Sequence, residues 1–211
     1  MPVTADELRQ LIFTSSTEDL VDEHVLAGEP HVFRGKPTDY QLLLDDLSSS
    51  LGIKSDAITI VGSAKTGFSM DPEAFGTPFH DESDVDVVVV DTSRFDRLWY
   101  ALVAWEYRLG VQEGARRAWF KKRHEDIYWG WFFDGHLDIR GLGSAAGLRT
   151  IRDISNEWFD SFQSVGLRHA TLARRHFRGR LYRTWDHARM YHVQGLLKYR
   201  DNLVSATTEG P

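Results

Sequence analysis

Apolar and polar positions along this chain alternate between two periods, and the alternation predicts its elements. Thr4-Ala-Asp-Glu7 reads as a capping box opening a short helix. Pro37-Thr38-Asp39 begins a second helix, whose apolar face is Tyr40, Leu42, Leu43, Leu44 and Leu47, with Gly52 as its stop. Ile58-Thr-Ile-Val61 is a short strand that ends in Gly62-Ser63. Residues 70–82 are rich in turn signals, Asp71-Pro72 and Gly76-Thr-Pro78 among them, and predict a loop. Val85 to Val90 predicts a strand with one buried half. From Ser93 to Tyr107 the period returns to 3.6, with Phe95, Leu98, Leu102 and Trp105 on one side.

Ile127 to Phe133 predicts an aromatic strand. Asp134-Gly135 is a hairpin turn signal, and His136-Leu-Asp-Ile139 is the expected return strand. From Ile151 to Val204 the pattern reads as helical, with breaks near Gly166 and Gly179. The expected class is α+β (α/β) with a small mixed sheet. Residues 1–150 form the expected core, 151–204 a C-terminal helical extension packed on it, and 205–211 a flexible tail.

Composition narrows the classes. With 211 residues, 42% of them hydrophobic, the chain can bury a core without covalent staples. It has no cysteine, which excludes disulfides, thiolate zinc sites and cysteine nucleophiles. No apolar run is long enough to span a membrane, so no membrane partner is expected. The acidic start lacks the apolar stretch of a secretory signal, and the expected location is cytoplasmic. The net charge of −6 hides a polarity: residues 1–100 are strongly acidic, whereas 166–200 hold nine Lys/Arg and one acid, Asp186. An acidic front suits a divalent cation, and a basic back suits polyphosphate or nucleic acid.

The candidate chemistry lies in Val61-Gly62-Ser63 and Asp84-Val85-Asp86. Residues i and i+2 of a strand share a face, so Asp84 and Asp86 stand side by side. Two adjacent carboxylates repel unless a cation lies between them, and hard divalent ions prefer such oxygen ligands. A third carboxylate on a neighbouring strand would complete a two-metal site for phosphoryl transfer. Asp138 is the candidate, with Asp134 as the alternative. Gly62 lets backbone approach a phosphate, and Ser63 offers hydroxyl and amide to the same oxygens. Ala64-Lys65-Thr66-Gly67 extends this turn without forming a P-loop, because Phe68-Ser69 follow Gly67. Lys65 either touches phosphate or lies in solvent.

This combination resembles the nucleotidyltransferase superfamily that includes DNA polymerase β and the cGAS-like bacterial defence synthases. The residues that carry the resemblance are Gly62-Ser63, Asp84-Val85-Asp86 and Asp138. They cover about 58–140, and the whole looks similar to minimal nucleotidyltransferases of bacterial antiphage operons. The resemblance implies a polymerase β-like core. It implies two Mg²⁺ or Mn²⁺ ions on Asp84, Asp86 and Asp138, an NTP or dNTP held by Gly62 and Ser63, and pyrophosphate as leaving group. A lysine from a following helix often reaches the triphosphate in that family; Lys198 fits that role, or is an exposed residue of the last helix. It also implies an oligonucleotide product or an RNA acceptor, and an effector protein that responds to the signal. Toxin-type transfer to tRNA or protein, and nucleotide binding without turnover, are the other activities open to this fold. Two departures stand out: the spacer between Ser63 and Asp84 is longer than the family's, and the large helical lobe of the cyclic-oligonucleotide synthases is missing.

Arg168, Arg174, Arg175, Arg178, Arg180 and Arg183 are candidates for a triphosphate tail or an RNA acceptor. Trp129 and Trp131 would share one strand face, as a stacking surface or as core. The histidines show no convincing metal spacing: His187 and His192 are five apart, off a shared helix face.

Overall fold

The computed structural model describes residues 3–109, 124–133, 149–173 and 175–208. Helix α1 (Ala5–Thr14) opens on the expected capping box: the Glu7 amide donates to Thr4 Oγ1 at 3.2 Å, and the Thr4 amide donates to the Glu7 carboxylate at 2.8 Å. Helix α2 (Thr17–Leu20) runs into a π-helical turn, Val21–Leu26. Helix α3 (Pro37–Leu51) starts with proline at its first position and ends at Gly52, whose φ of +66° is the left-handed stop that glycine permits. Strand β1 (Ile58–Val61) leads into the single turn α4 (Ser63–Thr66). Strand β2 (Val85–Val90) leads into α5 (Thr92–Leu109). Strand β3 (Trp131–Phe133), helix α6 (Arg149–Arg168), strand β4 (Phe177–Tyr182) and helix α7 (Trp185–Thr208) complete the described chain.

The fold is α+β, and the described residues form a mixed four-stranded sheet in the order β1-β2-β4-β3. β1 and β2 are antiparallel, β2 and β4 parallel, and β4 and β3 antiparallel. Alternation on the strands sends side chains to two different cores. Val85, Val87, Val89 and Leu181 pack with Leu43, Leu47, Leu98, Leu102, Trp158 and Phe162 of α3, α5 and α6. Val61, Val88, Trp131 and Tyr182 pack with Leu8, Ile12, Val193 and Leu196 of α1 and α7. No described helix is long and apolar enough to cross a membrane.

Two expectations are corrected. Residues 151–204 are not helical throughout, because Phe177–Tyr182 form β4 in the interior of the sheet. The reason is Gly179, where an added Cβ would come within 2.3 Å of Phe162 and Trp158 on α6. Glycine lets the strand backbone press against those rings, and Phe177 and Leu181 alternate around it. The strand expected over 127–133 is likewise shorter. Residues 124–128 are helical, and Gly130, at φ +81°, turns the chain so that among the described residues of this segment Trp131–Phe133 pair with β4. Trp129 therefore lies in a turn and not on a strand face, although its ring stacks on Trp131 with centroids 6.0 Å apart. Asp134-Gly135 and the return strand 136–139 lie outside the described residues.

Candidate active site

The site forms where β1 ends, β2 begins and α7 passes over the sheet. Gly62 closes β1 with φ +67° and ψ −154°, a region that only glycine enters freely. The turn that follows is tied internally. Thr66 Oγ1 donates to the Phe68 carbonyl at 2.6 Å, and the Phe79 amide donates to the Gly67 carbonyl at 2.9 Å, which brings the end of the 70–82 loop back to the turn.

Asp86 pairs with Val61 across the antiparallel ladder, beside Gly62. A Cβ on Gly62 would stand 3.3 Å from Asp86 Oδ2, so the glycine leaves room for the carboxylate. Asp84 precedes β2 by one residue and shares the Asp86 face. Together with Gly62, Ser63, Arg180, Tyr191, His192 and Lys198 they line a cavity of about 790 Å³. The 70–82 loop also lines it, through Asp71, Glu73 and Glu82 among others.

That loop is fastened from both sides. Arg175 donates to the His80 and Ser83 carbonyls, pairs with Asp81 at 3.2 Å, and lies 4.6 Å over the Phe79 ring. Phe75 stacks on Tyr199 of α7 with centroids 3.8 Å apart.

Strand β4 brings two arginines to the acids. It runs parallel to β2 with Arg178 opposite Asp86 and Arg180 opposite Val88. The same period of two puts both arginines on the carboxylate face. Arg178 pairs with Asp84, and Arg180 Nη2 pairs with Asp86 Oδ2 at 3.3 Å. Arg180 Nη1 also donates to the Tyr191 hydroxyl at 3.0 Å. Burial works against the Arg180 charge, but Asp86, Tyr191 and Tyr182 outweigh it and raise its pKa, so it is a fixed cation. Burial and the Arg180 charge push His192 down to about 3, so its imidazole is neutral.

Of the seven residues expected to carry the metal and the nucleotide (Gly62, Ser63, Lys65, Asp84, Asp86, Asp138 and Lys198), five meet in one cavity: Gly62, Ser63, Asp84, Asp86 and Lys198, the last on its exposed rim. Lys65 is not among the lining residues. It is only 5% exposed, its ammonium donates to the Gly28 carbonyl, and burial lowers its pKa to about 8. Its direction follows from the turn, whose buried side carries Ala64, Lys65 and Thr66. Asp138 and its alternative Asp134 lie outside the described residues. Sequence reasoning counted Arg178 and Arg180 among the basic residues but missed their pairing with the acids, because it read 177–182 as helix. Alternation of Phe177, Gly179 and Leu181 with Arg178, Arg180 and Tyr182 was the available signal.

The donor chemistry suits a hard divalent cation. Asp84 and Asp86 offer carboxylate oxygens on one face, with side chains 32% and 24% exposed, and Gly62 leaves Asp86 uncrowded. Among the described residues no three acidic or histidine side chains form a metal-binding group. Both carboxylates are already paired, Asp84 with Arg178 and Asp86 with Arg180, so a cation there would have to compete with the guanidinium groups. No family model, no curated protein and no solved structure matches this chain.

Proposed function

We propose that this protein is a metal-dependent nucleotidyltransferase that moves NMP or dNMP from an NTP or dNTP to a hydroxyl acceptor. The observation that carries this reading is the convergence of Gly62, Ser63, Asp84, Asp86 and Lys198, far apart in sequence, on one cavity of about 790 Å³. That volume lies within the range of small-molecule sites, and its lining offers both cation ligands and phosphate partners.

In this reading Asp84 and Asp86 hold divalent ions, with Asp138 as the proposed third ligand. Mg²⁺ or Mn²⁺ held there would supply charge neutralisation at the reacting phosphate and a lowered pKa for the attacking hydroxyl. Ser63 and the Gly62 backbone hold the triphosphate, and Lys198 and Arg180 offset its charge. The acceptor hydroxyl releases its proton to solvent as its oxygen bonds to the α-phosphorus, the bond to the bridging oxygen breaks, and pyrophosphate leaves with the electron pair. Such transfer is chiefly positioning and charge neutralisation, which a cavity lined by both signs supplies. The proposed setting is the cytoplasm of a bacterium under phage attack. There the product is an oligonucleotide signal read by an effector protein.

A second reading, nucleotide binding without turnover, draws on the pairing of each acid with an arginine. Incubation with each α-³²P-labelled NTP and dNTP, with Mg²⁺ or Mn²⁺, separates the readings. Label in a new oligonucleotide supports signal synthesis. Label entering added RNA or protein assigns a toxin-type acceptor. Nucleotide binding with no transfer, even with total RNA and lysate added, overturns the transferase reading in favour of the second.

A further inference from the structure

The two arginines of β4 are held differently, and the difference points to different work. Arg180 is 27% exposed, donates to the Tyr191 hydroxyl at 3.0 Å, and lies 5.5 Å from the centre of that ring. It is pinned between β2 and α7. Arg178 is 52% exposed, and among the described residues its side-chain partner is Asp84. Asp84 is also the more exposed of the two acids. One ion pair is thus built into the wall of the cavity. The other joins two half-open side chains, one of which lines the cavity.

An exposed ion pair is weak and exchanges readily, whereas a pinned arginine loses further hydrogen bonds if it leaves. A divalent ion at Asp84 would carry twice the charge of the guanidinium and displace it. A freed guanidinium beside a triphosphate has a matched partner, because its planar fork suits phosphate oxygens. We infer that Arg178 is an exchangeable counter-ion. It neutralises Asp84 until a divalent cation enters, then transfers to a phosphate of the incoming nucleoside triphosphate, while Arg180 stays on Asp86 as a positioning residue. The inference rests on the nucleotidyltransferase reading and adds an order of events to it: cation and nucleotide enter together, each releasing a partner for the other.

The test uses Arg178→Ala and Arg178→Lys in the full chain, with two binding measurements and no turnover. Mn²⁺ binding is followed by the electron paramagnetic resonance of the free ion. Nucleotide binding is followed calorimetrically with α,β-methylene analogues of the ribo- and deoxyribonucleoside triphosphates in saturating Mn²⁺. Arg178→Ala is expected to bind Mn²⁺ alone about fivefold more tightly and the analogue about fivefold more weakly, the scale of a half-exposed ion pair. Arg178→Lys, which keeps the charge, is expected to lie between Arg178→Ala and wild type in both. A merely structural arginine would not move the two affinities in opposite directions. Mn²⁺ binding that Arg178→Ala leaves unchanged or weakens overturns the inference and spares the transferase reading. Analogue binding that Arg178→Ala leaves unchanged also overturns it, because the freed guanidinium then has no phosphate partner. Failure of wild type and both variants to bind Mn²⁺ or any analogue overturns the transferase reading, and this inference with it.

Discussion

Asp86 Oδ2 lies in tight contact with the place where a side chain on Gly62 would begin: a Cβ at Gly62 would approach it to 3.3 Å. The end of β1 and the second acid of β2 are thus one structural unit, and glycine is what allows them to meet. At φ +67° and ψ −154° the backbone adds a second reason for glycine, independent of the carboxylate. Gly62→Ala is therefore expected to cost about 1–3 kcal/mol in urea unfolding and to lower turnover as well. Stability and turnover both equal to wild type would contradict this account of the turn.

The acid pair taken alone suggests that removing either carboxylate relieves repulsion and stabilises the chain. The arginines reverse that expectation for Asp86. Asp86→Ala leaves Arg180, a pinned and largely buried cation, without its carboxylate. A loss of about 1–3 kcal/mol is expected, below that of a fully buried pair because both side chains keep some solvent contact. Asp84→Ala, whose partner Arg178 is half exposed, is expected to change stability by less than about 1 kcal/mol. Equal melting temperatures for the two variants would contradict the distinction between the pairs.

Gly179 tests the strand that sequence reading missed. A Cβ there would meet Phe162 and Trp158 at 2.3 Å, and both rings belong to the core under the sheet. Gly179→Ala is expected to destabilise by about 3 kcal/mol through overpacking. In a solvated helix the same change would stabilise slightly. The sign of the effect therefore decides between strand and helix.

Lys65 makes stability depend on alkaline pH. Its folded pKa of about 8 lies below the ordinary 10.5 because burial disfavours the ammonium. Between those values the unfolded chain holds a proton that the folded chain has released, so stability rises with pH. The contribution is complete above 10.5 and lost as pH falls through 8. Compared with Lys65→Met, wild type is expected to gain stability between about pH 8 and about pH 10 in urea unfolding. A constant difference between the two proteins would show that the ammonium is solvated.

Much of the site was legible because its signals are local. The capping box at Thr4 and Glu7, the Gly52 stop, the Val run of β2 and the period-two acids need only neighbouring residues to be read. What failed depends on distant partners. β4 joins the sheet beside β2, roughly ninety residues back in the chain, and nothing local to 177–182 marks its two arginines as partners of Asp84 and Asp86. Lys65 was misplaced for the same reason: its partner is the carbonyl of Gly28, before α3, and no local pattern marks that contact. The loop 70–82 was recognised by its turn residues, but its anchors, Arg175 and Tyr199, are long-range and invisible to composition.

The most direct measurement is pyrophosphate release by wild type and by an Asp84→Asn, Asp86→Asn double variant, which keeps side-chain shape while removing both charges. The assay holds Mg²⁺ or Mn²⁺ with the nucleotide and acceptor that give product. The account predicts release by wild type and a loss of at least about a hundredfold in the variant, the scale of removing electrostatic stabilisation from a reacting phosphate. Release at the wild-type rate by a folded double variant would contradict the assignment of Asp84 and Asp86 as the metal-binding pair.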